Sequence, residues 1–449
     1  MFEKLEKNSE AICPAILRIS LLLKICYGIL VQFDFSGHDL WDVSDWNTIT
    51  TGNLGYIQYL YQFRCLPDFY IGQFYHPPLF YILSAVIMGA VYGPTKNVEL
   101  AFDVIQEFNL VIAFLVSVYC YRLLKLFNVK GTRLVAGTAF FAGIPLLYNM
   151  GACINNDCLM TLLCVMTVFY VLKWEKHFDW VDIIKAALCM GLAMFTKTSA
   201  GLIAPGIALF FLYKLFKPGR EKIRKKVVFQ YLTFGVLSVP VGMFWLVWQH
   251  FKTGMPFDYI MPLYGKEEEA SALASASIIR RLGLPSWQQM TDVFPDYDNF
   301  DNSVNIWGQF IQTTLFDEGV YNCSVIIFKV IAIALIWVFA VLMLVLVLRT
   351  VSFIKSGKAE ISQKILLIGV FAVLLGSFVK FCFQYPYICT MHTRYIFCIF
   401  PVMLIAYGVS PKLFLEKSAA ALKVERAEAC LMILFGILSV VLYLVPVII

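Results

Sequence analysis

Between residues 34 and 94 the chain sets out groups that chemistry can use: FDFSGHDLWDVSDW, then GNLGYIQYLYQFRCLPDF, then FYHPPLFYILSAVIMGAVYGP. Asp34, Asp39, Asp42, Asp45 and Asp68 fall here, with His38 and His76. A segment that only joined two membrane crossings would not need this crowd of acids, aromatics and prolines. It reads as the floor of an active site at a membrane surface. Asp39, in Gly37-His38-Asp39, is placed for general-base work, since a carboxylate can take the proton of an attacking alcohol or amine. A solvated loop acid or a helix N-cap has the same local sequence. Asp42 and Asp45 follow at intervals of three, which puts all three acids on one helical face. That face is either a cation site or simply wet.

Five other places carry charge where the surroundings are apolar. In Tyr75-His76-Pro77-Pro78-Leu79 the tandem prolines allow a helix to start but not to extend backwards. This sets His76 at a helix N-terminus, where backbone N–H groups favour an anion. Asn155-Asn156-Asp157 lies in a tight turn between two apolar runs, as solvation and capping would require; an acid buried there would be functional. Lys197 and Arg394 each stand at a helix end, as snorkelling anchors or as cations for a phosphate. Lys380 sits inside an apolar run and is expected to be buried. No Walker loop, GxGxxG, HExxH or Ser–His–Asp arrangement occurs, which argues against nucleotide-driven and soluble-type hydrolytic enzymes.

The elements that must position these groups are set by composition. The chain of 449 residues is 60% hydrophobic and 15% charged, with mean hydropathy +0.75. A soluble domain would be nearer half apolar and a quarter charged. This is an all-α polytopic membrane protein. Spans of roughly 20 apolar residues are predicted at 12–33, 104–127, 134–153, 158–174, 181–197, 200–216, 227–248, 325–348, 365–386, 395–410 and 428–448, about eleven in all. The first contains Arg18 and Lys24, lacks a small-residue cleavage site, and reads as an uncleaved anchor.

The apolar stretch 77–92 is short. If it lies in the outer leaflet, the N-terminus shares one side with the basic loops at Arg122–Arg133, Lys217–Lys226, Arg349–Lys364 and Lys412–Arg426. Short basic loops stay cytoplasmic. That parity puts 34–103, the Asn155–Asp157 turn, 249–324 and Thr390–Arg394 on the outer face. Loop 249–324, with its KEEEASALASAS run, is expected to be a partly ordered cover. Residues 1–410 form the catalytic module, and 411–449 a cytoplasmic linker and last span. Most of the thirteen cysteines lie in apolar runs, where thiols act as small hydrophobes. Cys65, Cys323 and Cys389 face outward and leave room for one disulfide. The +6 net charge reports topology, not nucleic-acid binding, and no ligand spacing calls for a metal or cofactor.

Taken together, GHDLWD, GNLGYIQYLYQFRCLPDF, FYHPPLFYIL, INNDCLM, GLAMFTKTSAGLIAP, NIWGQFIQTTLFDE and YPYICTMHTRYIF resemble the GT-C membrane glycosyltransferases. The likeness is to the branch with protein O-mannosyltransferases and the lipid A aminoarabinose transferase. The segments follow the family's order over most of residues 1–410. The chain departs from the pattern at Asn53, where the family often has a histidine.

The resemblance implies a donor sugar on a polyprenyl phosphate, an inverting transfer without a cofactor, and an acceptor that is protein, lipid or polymer. It implies that Asp39 takes the acceptor proton and that Asn156 and Asp157 shape the sugar pocket. His76, Lys197 and Arg394 would stabilise the departing phosphate, with His38 and His392 among the substrate-binding groups. The setting it implies is the plasma membrane of a bacterium, with a cytoplasmic N-terminus. A glycolipid transporter and an inactive envelope-assembly scaffold are the competing readings. Transporters usually carry internal repeats and broken midplane helices, and no repeat is visible here.

Overall fold

The computed structural model describes residues 2–33, 49–217, 221–293, 300, 302–317, 325–411 and 419–448. His38, Asp39 and Cys323 lie outside these. The described residues are helical: α1 (Phe2–Leu30), α2 (Asn53–Phe63), α3 (Leu79–Thr95), α4 (Val98–Leu126), α5 (Gly131–Gly143), α6 (Leu146–Ala152), α7 (Asp157–His177) and α8 (Trp180–Thr196) come first. They are followed by α9 (Ala204–Phe216), α10 (Glu221–Thr253), α11 (Glu267–Ser275), α12 (Ile278–Leu282), α13 (Ile306–Phe316), α14 (Ile326–Phe353), α15 (Ile361–Gln384), α16 (Ile399–Val409) and α17 (Ala419–Ile448). Helices satisfy their own backbone polar groups, which apolar surroundings demand.

Among the described residues nine helical spans are long and apolar enough to cross a membrane. The segments Ile388–Ile396 and Ile399–Val409, bent by 50°, would make a tenth as one broken span. The chain is therefore an integral, multi-pass membrane protein. The remaining expected span, 181–197, is α8, which has only 17 residues. Helix α3 also has 17 residues, or about 25 Å at 1.5 Å per residue, short of a hydrocarbon core about 30 Å thick. It starts at Leu79 because Pro78 occupies its N-cap and ends before Lys96, whose φ is +57°. Lys380 is exposed on α15, not buried as its apolar neighbours suggested; hydropathy along a chain does not say which side of a helix faces the bundle. Cys65 is an exposed free thiol.

The chain forms two compact units. One comprises residues 28–116 and 150–263, with α7, α8 and α10 packed together. Its core is set by the fully buried Trp174, whose Nε1 donates to Gln230 Oε1 at 3.0 Å. Gln230 Nε2 in turn donates to the Phe178 carbonyl at 2.8 Å. Beside it Glu175 and Lys214 form a buried ion pair.

The other unit comprises residues 1–27, 117–149 and 264–449. Rings of Phe140, Phe339, Phe400 and Phe435 pack at centroid distances of 5.2 to 6.2 Å. At one end Arg349 pairs with Glu428 at 2.5 Å and Arg133 with Glu425 at 2.6 Å. The same guanidiniums donate to the carbonyls of Tyr407, Gly408, Ser410 and Pro411, which the end of α16 would otherwise leave unsatisfied. Where the chain breaks between α5 and α6 at Ile144-Pro145, the Ala142 carbonyl accepts from Ser20 Oγ at 2.9 Å and Lys24 Nζ at 3.2 Å. Lys24 also sits 3.9 Å from the Tyr148 ring centroid. The charge in α1 is thereby accommodated.

The segment after residue 264 is ordered by two buried charges. Glu269 accepts the Ile388 N–H at 2.6 Å, and Arg281 donates to the Cys382 carbonyl at 2.6 Å. Burial lowers the Arg281 pKa.

Helices α5 and α17 meet backbone to backbone: a Cβ on Gly143 would lie 2.6 Å from the Gly436 Cα. Small residues permit such approach in membranes. Gly143→Ala should therefore lower stability by about 1–3 kcal/mol, read as a drop in the thermal unfolding midpoint of the purified protein; an unchanged midpoint would contradict this packing.

Candidate functional site

The turn Asn155-Asn156-Asp157 is buried, not solvated: the three residues are exposed by 4%, 2% and 2%. Its shape comes from short-range bonds. Asn155 Oδ1 accepts the Asp157 N–H at 3.0 Å, and Asn156 Nδ2 donates to the Thr196 carbonyl at 3.1 Å. Asp157 is the first residue of α7, where the helix dipole favours a carboxylate. From the end of α8, Lys197 extends with φ −155° and ψ 125°, and its Nζ meets Asp157 Oδ1 at 2.6 Å. The lysine side chain is 12% exposed and the aspartate 3%. A second layer fixes the approach to the turn. From α4, Asn109 Nδ2 donates to the Met150 and Cys153 carbonyls at 2.9 and 2.6 Å, and Gln106 Nε2 to that of Ala152 at 3.0 Å. Both amides are fully buried. Neither was singled out from sequence, although two amides in an apolar run are themselves a signal.

His76 belongs to the same unit. It follows the 3-10 turn Gly72–Tyr75, three residues before α3 begins, so it stands near that helix start but not in its first turn. The backbone around it is held by Tyr56 Oη, donating to the His76 carbonyl at 3.3 Å, and by Trp245 Nε1, donating to that of Tyr75 at 2.9 Å. Burial raises the Tyr56 pKa well above its usual value, so this phenol stays a neutral donor. Asn53, at the start of α2, accepts from Tyr81 Oη at 2.7 Å and is a packing group here.

His392 and Arg394 lie in the other unit. His392 is fully buried. Its Nε2 lies 2.5 Å from Asp317 Oδ1, and its Nδ1 accepts the Arg394 N–H at 3.0 Å. Arg394 donates to Tyr395 Oη at 3.2 Å and lies 5.1 Å from that ring's centroid. Asp317 escaped the sequence reading. Its signal was its place in NIWGQFIQTTLFDE, one of the segments that carry the resemblance, as an acid closing the run that contains Thr313 and Thr314. Among the described residues, no three His, Cys, Asp or Glu side chains gather as a metal site.

The fold is that of a multi-pass helical membrane protein with a buried acid–cation pair at a helix start. Residues 76–248, which include His76, Asn156, Asp157 and Lys197, match the model of the dolichyl-phosphate-mannose-protein mannosyltransferase family. Over that stretch, less than half of its length, the chain is similar to this family of membrane mannosyltransferases. No curated protein matches the chain.

Lys197→Met strands a buried carboxylate and should lower stability by about 3 kcal/mol. Combining it with Asp157→Asn removes the stranded charge and should recover most of the loss in thermal unfolding. Equal losses in the single and double variants would show that the pair does not hold this turn.

Proposed function

We propose that the protein transfers a sugar from a polyprenyl-phosphate donor to a hydroxyl or amine acceptor, on the outer face of a bacterial plasma membrane. The observation that carries the reading is the buried Asp157–Lys197 pair inside the family-matched stretch. A cation held by a neighbouring carboxylate is already in position before the donor arrives, so little reorganisation opposes charge stabilisation. The family description names a polyprenyl-type lipid phosphate carrying mannose, which supports a donor of this chemical class.

In this reading Asp39 removes the acceptor proton and His38 is among the substrate-binding groups. The acceptor atom bonds to the anomeric carbon as the bond to the phosphate oxygen breaks, inverting that centre. The lipid phosphate leaves with the electron pair, and Lys197 and His76 stabilise its negative charge. Asn156 and Asp157 shape the sugar pocket. The acceptor is a protein, lipid or polymer.

Two measurements test this. In nanodiscs, the purified protein should release polyprenyl phosphate from labelled polyprenyl-phosphate mannose. Asp39→Asn should slow that release by about 100-fold or more with unchanged thermal unfolding; intact turnover would exclude Asp39 as the base. For topology, a single reactive cysteine at Lys96 should react with an impermeant maleimide on intact cells, and one at Lys130 only after permeabilisation. The reverse pattern would put the chemistry on the other face.

A further inference from the structure

We propose that the segment 278–287 is a membrane-surface anchor, with Ile278, Ile279, Leu284 and Trp287 seated among lipid chains at the edge of the bilayer. The inference rests on the chain being a multi-pass membrane protein and is independent of the sugar-transfer reading.

The first observation is exposure. Ile278, Ile279, Leu284 and Trp287 are 68%, 82%, 95% and 73% exposed. Single apolar side chains at a protein surface are ordinary. This many large ones within one short segment make an apolar patch that calls for a cover.

The second observation is how the backbone of the segment is satisfied. A chain that faces lipid cannot leave its carbonyls to water, and here they are taken from within. The Ile279 carbonyl accepts the Gly283 N–H at 2.8 Å. From the start of α13, Asn305 Nδ2 donates to the carbonyls of Arg280 and Gly283, both at 2.9 Å. Trp307 Nε1 donates to that of Leu282 at 2.9 Å. The cation of the segment is turned inward: Arg281 is buried, bonded to the Cys382 carbonyl and 4.3 Å from the Phe383 ring centroid. These contacts tie α12 to the last turn of α15, at one end of a membrane span.

The third observation is which surface the patch continues. Trp287 packs on Trp337 of α14 with ring centroids 5.5 Å apart. Trp337 stands about 16 Å along α14 from Ile326, at 1.5 Å per residue, well inside a span. It shares its side of that helix with Val330, Val341 and Leu344, all of them exposed. An exposed apolar stripe on a spanning helix faces lipid, so Trp287 extends a lipid-facing surface. Tryptophan suits the level where lipid chains meet headgroups. A second copy of the chain covering the patch would have to displace lipid from α14 as well.

The test places a spin label by Leu284→Cys, or by Glu268→Cys as a control on an exposed position of α11. The protein is full-length, in nanodiscs, with the exposed Cys26, Cys65 and Cys430 changed to serine. The label at 284 should collide with oxygen and be shielded from a water-soluble nickel chelate, at a depth of about 5–10 Å below the headgroups. At 268 the chelate should have free access. Ile279→Cys should repeat the result at 284, so the reading does not hang on one variant folding. Free access of the chelate at 284 and 279 would overturn the anchor in favour of a loop in water. Shielding from both reagents would overturn it in favour of a protein cover, and spin–spin broadening between copies would identify that cover as a second chain.

Discussion

A charge taken into an apolar interior must meet its opposite there, and this constraint orders both halves of the protein. Two unit charges about 4 Å apart attract by about 4 kcal/mol at an effective dielectric of 20, while burying one ion alone costs several kcal/mol. The chain answers with matched pairs: Asp157 with Lys197, Glu175 with Lys214, and Glu428 with Arg349. Where a helix end or break leaves carbonyls open, these take cations too, as Ala142 takes Lys24 and the end of α16 takes Arg133 and Arg349. Each pairing ties together segments far apart in sequence.

The pairs are not equivalent. Lys214 and Glu175 are 1% and 3% exposed at the side chain, so that pair is sealed. Lys197 keeps 12% exposure against 3% for Asp157. A sealed pair holds helices; a pair with an accessible cation can also meet a ligand anion. The flanking amides brace the site: Asn155 bonds the backbone of the turn, Asn156 the end of α8, and Asn109 and Gln106 the carbonyls that lead into the turn.

Much of this was legible in the sequence, for physical reasons. Long apolar runs cross membranes because backbone polar groups allow little else, so most spans follow from hydropathy alone. The tandem prolines at 77–78 announced the start of α3 to within two residues. What hydropathy could not supply was direction around a helix. Lys380 lies in as apolar a run as Lys24, yet one is exposed and the other fully buried. The Asn155–Asp157 turn has the composition of a wet loop and is buried all the same, because Thr196 and Lys197 arrive from 40 residues away to satisfy it. Asp317 lies in the NIWGQFIQTTLFDE segment, but its pairing with His392, 75 residues later, and its backbone conformation could not be read from that segment.

The claim everything leans on is that Lys197 is the cation awaiting the donor phosphate, kept in place by Asp157. An electron cryo-microscopy structure of the full-length protein with polyprenyl-phosphate mannose bound would test it most directly. The account predicts a phosphate oxygen about 3 Å from Lys197 Nζ, with Asn156 and Asp157 facing the sugar. A donor phosphate seated elsewhere, with the lysine still bonded to Asp157, would contradict it.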